Sequence, residues 1–227
     1  YFLTGFLIVF LHVLAVRSGL VALYGVFFYF LIREIILRRR WWFGITAGLL
    51  MVGGLAMAYL TIPSLRNKID YTLYNIYHIR NDNNSTELSD SHRVGTIHAG
   101  LAMGKEAPLL GVGIGDVRDE TEAYLQVNYP GVAGSGFTPQ SQYIWQYASM
   151  GWLGLLLLIV VTFLPLFYKN GWRYALLGSF LAIAIPSFII EQTLETQLGT
   201  AIYLVFLLMA ARYYFIEDPS DQSGQHQ

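Results

Sequence analysis

Residues 148–168 read ASMGWLGLLLLIVVTFLPLFY and contain no charged side chain. A helix needs about 20 such residues to cross the hydrocarbon core of a bilayer, and only a helix satisfies its own backbone polar groups there. This stretch therefore predicts a membrane-spanning α-helix. Similar apolar runs occupy residues 1–16, 19–37, 41–62, 174–190 and 196–216.

The composition agrees with an all-α integral membrane protein of about six transmembrane helices. Hydrophobic residues make up 55% of the chain and charged residues 13%, and the charges lie between the apolar runs. This pattern excludes an ordinary soluble domain. A formal net charge of −1 gives no reason to expect a nucleic-acid partner. Because the chain has no cysteine, it has neither a disulfide framework nor a thiolate metal site.

Basic residues predict the orientation of the six spans, because Lys and Arg favour the cytoplasmic side of a membrane. They lie at alternate ends of the apolar runs, at 38–40, 169, 173 and 212. We therefore expect four regions: three transmembrane helices over 1–62, an outer loop domain over 63–143, three more helices over 144–216 and a polar cytoplasmic tail over 217–227.

The outer loop domain is large enough to fold, since six basic and nine acidic residues accompany its apolar ones. Apolar residues at helical spacing over 65–79 predict either an amphipathic helix at the membrane surface or ordinary core packing. After a break at 81–85, Ser89-Asp90-Ser91 offers a cap for a helix from about His92 to the approach of Pro108. A short helix is expected over 119–127. The glycines at 111, 113 and 115 do not have the GxGxxG spacing and no strand precedes them, so they predict a turn.

Four stretches together resemble the O-antigen ligase and polymerase family of bacterial envelope glycosyltransferases. The first is Val16-Arg17-Ser18-Gly19 at an outer helix junction. The second runs from Ser91-His92-Arg93 to the Pro-Leu-x-Gly-x-Gly segment that begins at Pro108, with the Arg-to-Pro spacing of the family. The third joins Pro139-Gln140-Ser141-Gln142-Tyr143 to a Gly-x-x-Gly-Leu helix at 151–155. The acidic turn over 191–199 is similar to the branch of the family from Bacteroides-like bacteria.

The resemblance implies a metal-independent glycosyltransferase in the bacterial inner membrane, with the large, partly helical loop facing the periplasm. Such a protein transfers a polyprenyl-diphosphate-linked glycan to a lipid A core or related acceptor. Its partners would be this donor, the acceptor and membrane lipids. Family members have about twice as many spans, and the chain opens at Tyr1, so we expect it to be the C-terminal part of a longer protein.

Arg17 and Arg93 are the expected substrate-binding residues, since a guanidinium stays charged and binds phosphate oxygens as a planar fork. From the residues alone, a charged residue that snorkels at a helix end is the preferred explanation of Arg17, and the resemblance reverses this preference. Arg93 is likewise compatible with a solvated position on an amphipathic helix.

The catalytic base is left open by the sequence. The resemblance implies a histidine where this chain has Gln140, and an amide cannot accept a proton from a hydroxyl group near neutral pH. Three explanations stay open. Gln140 orients the acceptor, and stabilisation of the departing diphosphate provides most of the reduction in the activation barrier. Alternatively, another residue serves as the base, or the lineage has lost activity. Alternative bases are His98, His92, Glu120 and Glu122. His98 follows Arg93 by five residues, so a regular helix would point the two about 140° apart.

Two rival functions remain at this point. A glycan polymerase would use the same chemistry with a different acceptor. A transporter or lipid flippase would need charges at the membrane midplane and interrupted helices, and the apolar runs offer few of either. No carboxylate pair, histidine cluster or Ser-His-Asp order stands out, so we expect no metal and no cofactor.

Overall fold

The computed structural model describes residues 2–14, 16–39, 41–71, 89–134 and 136–217, and these residues form helices and connecting turns without a β-strand. A helical segment over 63–71 is α4. The other helices are α1 (Phe2–Leu14), α2 (Arg17–Arg38), α3 (Trp41–Thr61), α5 (Ser89–Glu106), α6 (Val117–Asn128), α7 (Gln142–Phe167), α8 (Ala175–Ile190) and α9 (Gln197–Glu217). Short 3-10 turns over Tyr168–Arg173 and Thr193–Glu195 join α7 to α8 and α8 to α9.

Three helical segments are long and apolar enough to cross a membrane: Ser18–Arg38, Gly44–Thr61 and Gln142–Arg173. Three further apolar helices are shorter, at Phe2–Leu14, Ala175–Ile190 and Gln197–Arg212. The expectation of an all-helical protein with membrane-spanning helices is confirmed. The count of six spans stays a prediction, because the apolar segments of these three helices are shorter than the roughly 20 residues that a perpendicular span requires.

The outer loop region contains the helices expected there, with shifted ends. Helix α5 begins at Ser89, so the Ser89-Asp90-Ser91 stretch that was expected to precede and cap the helix lies in its first turn. Helix α6 begins at Val117 and ends at Asn128, slightly longer than expected. Of the expected surface helix over 65–79, residues up to 71 are helical. Its remainder and the break at 81–85 lie outside the described residues.

Helices α2 and α8 form the most extensive helix pair, and they run antiparallel. The Tyr29 ring of α2 covers Gly178 of α8, and Gly25 of α2 faces the carbonyl oxygen of Ala182 one turn further along α8. Small residues at such positions let two helix backbones approach closely. At the far end of the pair, the Tyr29 hydroxyl donates to the carbonyl oxygen of Trp172 at 2.9 Å. The N-terminus of α2 therefore lies at the C-terminal end of α8.

Helix α7 is broken at Gly151, whose φ of 62° and ψ of −157° are not helical. The loop after α5 fits into this break. The backbone N–H of Trp152 donates to the carbonyl oxygen of Pro108 at 2.8 Å, and that of Val112 donates to the carbonyl oxygen of Ala148 at 2.9 Å. The loop thus provides hydrogen bonds across the discontinuity, as an interrupted helix near a membrane requires.

The loop and the helices around it share a small apolar core. Ala99 and Met103 of α5, Val117 of α6, and Trp145 and Ala148 of α7 are buried together. This core, with the loop in the α7 break, fixes α5 against the first half of α7. It therefore sets the position of the side chains at the N-terminal ends of both helices.

Candidate active site

Arg93, near the start of α5, is held between two segments that are distant in sequence. Its Nε donates to Gln140 Oε1 at 3.1 Å, and its Nη2 lies 3.4 Å from Glu191 Oε1. The Arg93 side chain is 31% exposed and that of Glu191 is 49% exposed. A guanidinium has five N–H donors, and these contacts use two of them. The group is therefore fixed in position, reachable from solvent and able to donate further hydrogen bonds.

A second set of polar contacts joins the start of α7 to the turn after α8. Thr138 Oγ1 donates to Gln192 Oε1 at 2.7 Å. The buried Gln142 side chain donates from Nε2 to Glu195 Oε1 at 2.9 Å and accepts from the backbone N–H of Leu194 at 2.8 Å. Both ends of its amide are paired, as a buried amide requires. We call Arg93, residues 138–142 and residues 191–195 together the polar clasp.

The local sequence explains why the chain reaches the clasp in this conformation. Pro139 is fully buried, and a proline disfavours a helical conformation in the residue before it. Ser141 is extended, with φ of −156° and ψ of 128°, and precedes the first residue of α7. Its Oγ donates to the carbonyl oxygen of Phe188 at 3.2 Å, near the end of α8. The approach to α7 is therefore attached to the end of α8.

Arg17 is the first residue of α2, and its side chain lies outside what the structure describes. Its backbone position follows from the α2–α8 pairing: Tyr29 meets Gly178 and Gly25 meets Ala182, in antiparallel order. Continuing this order towards the N-terminus brings Arg17 to the level of the end of α8, where Glu191 begins the clasp turn. The two arginines expected from the sequence thus belong to the same end of the bundle.

The histidines considered as bases lie apart from the Arg93 guanidinium contacts. His98 Nδ1 is 2.6 Å from the Tyr129 hydroxyl, at the exposed side of α5 next to the end of α6. Burial raises the pKa of that Tyr129 hydroxyl, with a smaller contribution in the same direction from Tyr124. His92 packs edge-on against Phe137 with ring centroids 5.5 Å apart, and its buried Nδ1 has no hydrogen-bond partner among the described residues.

The two acidic residues considered on α6 have different surroundings. Glu120 is exposed in the first turn of the helix. Glu122 accepts a hydrogen bond from the backbone N–H of Gly134 and another from Gln126 Nε2. Glu122 therefore holds the loop that follows α6. Neither carboxylate contacts the clasp in any described hydrogen bond or ion pair.

Sequence reasoning missed Glu191 as a partner of Arg93. The acidic turn had indicated only a branch of the family, because nothing local to residues 191–199 points to α5. Glu195 was missed in the same way. Partial burial raises the pKa of its carboxyl group, although the hydrogen bond from Gln142 lowers it by a smaller amount.

Metal-ligating side chains do not cluster in this region. Within the described ranges, no group of three or more His, Cys, Asp or Glu side chains is arranged to hold a metal ion. The polar side chains of the clasp are a guanidinium, three amides, three hydroxyls and two carboxylates. These groups bind anions and hydroxyl groups and accept protons, so the arrangement suits recognition of a phosphorylated, hydroxyl-rich substrate.

The apolar helices and the polar clasp at one end of their bundle define the class of this protein. It is a membrane protein whose candidate site lies at the end of its helical bundle. The sequence profile of the O-antigen ligase family matches residues 2–159. The chain belongs to this family, whose members are ligases and polymerases that act on glycans. No curated protein and no solved structure matches the chain. Of the clasp, Arg93 and residues 138–142 lie inside the matched region, and residues 191–195 lie beyond it.

Proposed function

We propose that this protein transfers a glycan from a polyprenyl diphosphate carrier to a lipid A core or related acceptor, at the periplasmic surface of the bacterial inner membrane. The observation that carries this proposal is the fixed, partly exposed Arg93 guanidinium between Gln140 and Glu191. An arginine in this setting suits a diphosphate, because its planar fork matches phosphate oxygens and stays charged at any physiological pH.

In the reaction, a hydroxyl oxygen of the acceptor attacks the anomeric carbon of the donor glycan. A glycosidic bond forms, the bond between that carbon and the diphosphate oxygen breaks, and the diphosphate leaves with the bonding electrons. Arg93 stabilises the negative charge that develops on the leaving diphosphate. Arg17, at the same end of the bundle, provides a second positive charge for the same group.

Glu191 is the proposed acceptor of the hydroxyl proton. Its carboxylate is the group beside Arg93 that can take up a proton, whereas the Gln140 amide cannot. Gln140 then acts as a positioning residue, because its Oε1 fixes the Arg93 Nε at 3.1 Å. The proton moves from the acceptor hydroxyl to the Glu191 carboxylate as the glycosidic bond forms.

The proposed topology has six spans, with residues 63–143 and the 191–195 turn in the periplasm. The described contacts join only helix ends that this topology places on the same side. Ser64 Oγ donates to the carbonyl oxygen of Val13 at 2.8 Å, between two predicted outer ends. Arg33 Nε donates to the carbonyl oxygen of Arg173 at 2.8 Å, between two predicted inner ends.

The test is transfer of polyprenyl-diphosphate-linked glycan in membranes that carry the full-length protein at matched expression. Arg93→Ala should reduce transfer about a hundredfold or more, the usual cost of removing a group that stabilises developing charge. Arg17→Ala should also reduce it strongly. Arg118→Ala removes the same charge from an exposed position on α6 outside the clasp and should leave transfer unchanged.

Normal transfer by both the Arg93 and Arg17 variants would refute the diphosphate-binding role and favour a transporter. The product of the reaction distinguishes a polymerase from a ligase. A polymerase converts a single lipid-linked repeat into a ladder without another acceptor, whereas a ligase needs the lipid A core and adds the glycan once.

A further inference from the structure

The opposite end of the bundle carries a cavity that the transfer reaction does not use. It has a volume of about 800 Å³ and lies between the C-terminal end of α2, the 3-10 turn after α7 and the first residues of α8. Two of the helical segments long enough to span a membrane, Ser18–Arg38 and Gln142–Arg173, end beside it. The cavity therefore lies at the level of a membrane surface.

The cavity is electropositive. Arg33, Lys169 and Arg173 line it, and the described residues around it include no carboxylate. Next to Arg33 on α2, Glu34 lies 3.8 Å from Arg33 Nη1 and 3.2 Å from Arg38 Nε, so two arginines share its charge. Three cations around one cavity favour a ligand that carries a phosphate or similar anionic group.

Backbone groups of the turn strengthen this character. The carbonyl oxygen of Arg173 accepts a hydrogen bond from Arg33 Nε. The one proton of the Tyr29 hydroxyl lies between the carbonyl oxygens of Trp172 at 2.9 Å and Tyr174 at 3.1 Å. These acceptors are thus directed to protein donors. The N-terminus of α8 begins at Ala175 on the cavity wall, and the positive end of its helix dipole adds to the attraction.

One wall of the cavity is apolar, and this distinguishes a lipid from a free ion. Phe30 and Leu176 line it and are 39% and 43% exposed. A free phosphate ion gains nothing from such a wall, whereas an acyl chain would cover both side chains as the headgroup met the cations. A phospholipid has both parts in the arrangement that the cavity presents.

We infer that this cavity binds an anionic phospholipid, with its phosphodiester headgroup between Arg33, Arg173 and Lys169 and an acyl chain along Phe30 and Leu176. The bound lipid would hold the 168–173 turn and the end of α2 at the membrane surface. This inference does not depend on the glycan transfer reaction, and its test does not measure that reaction.

The test is native mass spectrometry of the full-length protein in detergent, titrated separately with phosphatidylglycerol and phosphatidylcholine. Phosphatidylglycerol should bind the natural protein at least tenfold more tightly than phosphatidylcholine. The double variant R33Q/R173Q should lose at least tenfold in affinity for phosphatidylglycerol and keep its affinity for phosphatidylcholine. Arg212→Gln, at the predicted inner end of α9 and outside the cavity, removes one positive charge as Arg173→Gln does, and it should bind both lipids as the natural protein does.

Arg173→Gln alone separates loss of the site from loss of the fold, because the backbone carbonyl that Arg33 contacts remains. It should weaken phosphatidylglycerol binding while the melting temperature stays unchanged. Natural affinity in the double variant, or an equal loss in Arg212→Gln, would overturn the inference. Displacement of phosphatidylglycerol by millimolar inorganic phosphate would show that a free anion is the ligand, which overturns the assignment to a lipid.

Discussion

Gln140 occupies the position where the family resemblance implies a histidine, and its amide oxygen accepts a hydrogen bond from Arg93. A neutral amide oxygen fixes a guanidinium without neutralising it, so the positive charge of Arg93 stays available to the diphosphate of the proposed donor. Glu191, on the other side, partly balances that charge and brings a proton acceptor within 3.4 Å of the guanidinium. In the proposed mechanism, positioning and proton transfer are thereby divided between two residues.

These two roles predict that a histidine at position 140 restores the activity lost when Glu191 is replaced. Glu191→Gln should reduce glycan transfer about a hundredfold at neutral pH, since a general base contributes about 10²–10⁴ to a rate. Adding Gln140→His to that variant should restore much of the activity, because an imidazole beside Arg93 can take up the proton. Transfer rates in membranes at matched expression measure both effects.

Gln140→His in the otherwise natural protein is the control, and it should keep or raise transfer. A Glu191→Gln variant with full activity would show that the carboxylate is not the base. A loss that histidine fails to repair would indicate that Glu191 serves to hold Arg93 in place.

Glu195 predicts a pH dependence of stability. Burial raises the pKa of its carboxyl group in the folded protein, so the folded state binds the proton more tightly than the unfolded state. Stability should therefore fall as the pH rises from the ordinary carboxyl pKa through the raised one, and stay level above it. Glu195→Gln should remove this part of the profile.

Melting temperatures in detergent between about pH 4 and pH 8 provide the measurement, around the ordinary carboxyl pKa. Glu120→Gln, which changes an exposed carboxylate on α6, is the matched control and should leave the profile as it is. Identical profiles for the natural protein and Glu195→Gln would contradict the assignment.

At the scale of elements, the break in α7 and the loop after α5 depend on each other through two glycines. Gly111 has φ of 68° and lies against the backbone of Ala148 and Ser149, and Gly151 has φ of 62° and lies against the backbone of Pro108 and Leu109. Both have a backbone conformation that other residues rarely adopt, and both touch backbone atoms that cannot rotate away. The Pro-Leu-x-Gly-x-Gly segment thus has a structural explanation.

Gly111→Ala and Gly151→Ala should each lower the stability of the protein by about 2–5 kcal/mol, from backbone strain and overpacking together. Gly115→Ala is the matched control in the same loop, since an added methyl group there meets no atom within 4 Å. Thermal unfolding in detergent tests the difference. An equal effect of all three substitutions would show that the loop is not fixed in the break.

At the scale of the whole molecule, the contacts of the inner and outer helix ends are consistent with a single orientation in the membrane. Because the chain has no cysteine, a single introduced cysteine is the one thiol in it that a maleimide can label. Labelling therefore reports the side of the membrane on which that residue lies. Val127 lies in the last turn of α6, and its side chain is 80% exposed. Val127→Cys should therefore react with a membrane-impermeant maleimide added from the periplasmic side. Arg38→Cys and Arg212→Cys should react only after the membrane is opened.

Labelling of Arg212→Cys from the periplasmic side would show that α9 does not cross the membrane and would reduce the number of spans. Labelling of Val127→Cys only after opening would invert the orientation. The three positions together test the orientation and the odd number of crossings that the six-span topology predicts between residues 38 and 127 and between residues 127 and 212.

The sequence determined the features that depend on neighbouring residues. Uninterrupted apolar runs predicted membrane helices because a bilayer leaves the backbone no other way to pair its polar groups. The spacing from Arg93 to Pro108 and the glycines after it indicated the family to which the chain belongs. The five-residue separation of His98 from Arg93 was also informative, since the structure gives the two side chains different partners.

Tertiary structure alone decided which distant residues meet. Arg93 and Glu191 are 98 residues apart, and no periodicity within either segment records their contact. That contact exists because α5 is packed against α7 and α7 against α8, which brings the end of α8 to the start of α5. The same packing places the loop after α5 in the α7 break. Local sequence specified the helices, whereas the close packing of their apolar and glycine-bearing faces specified the site.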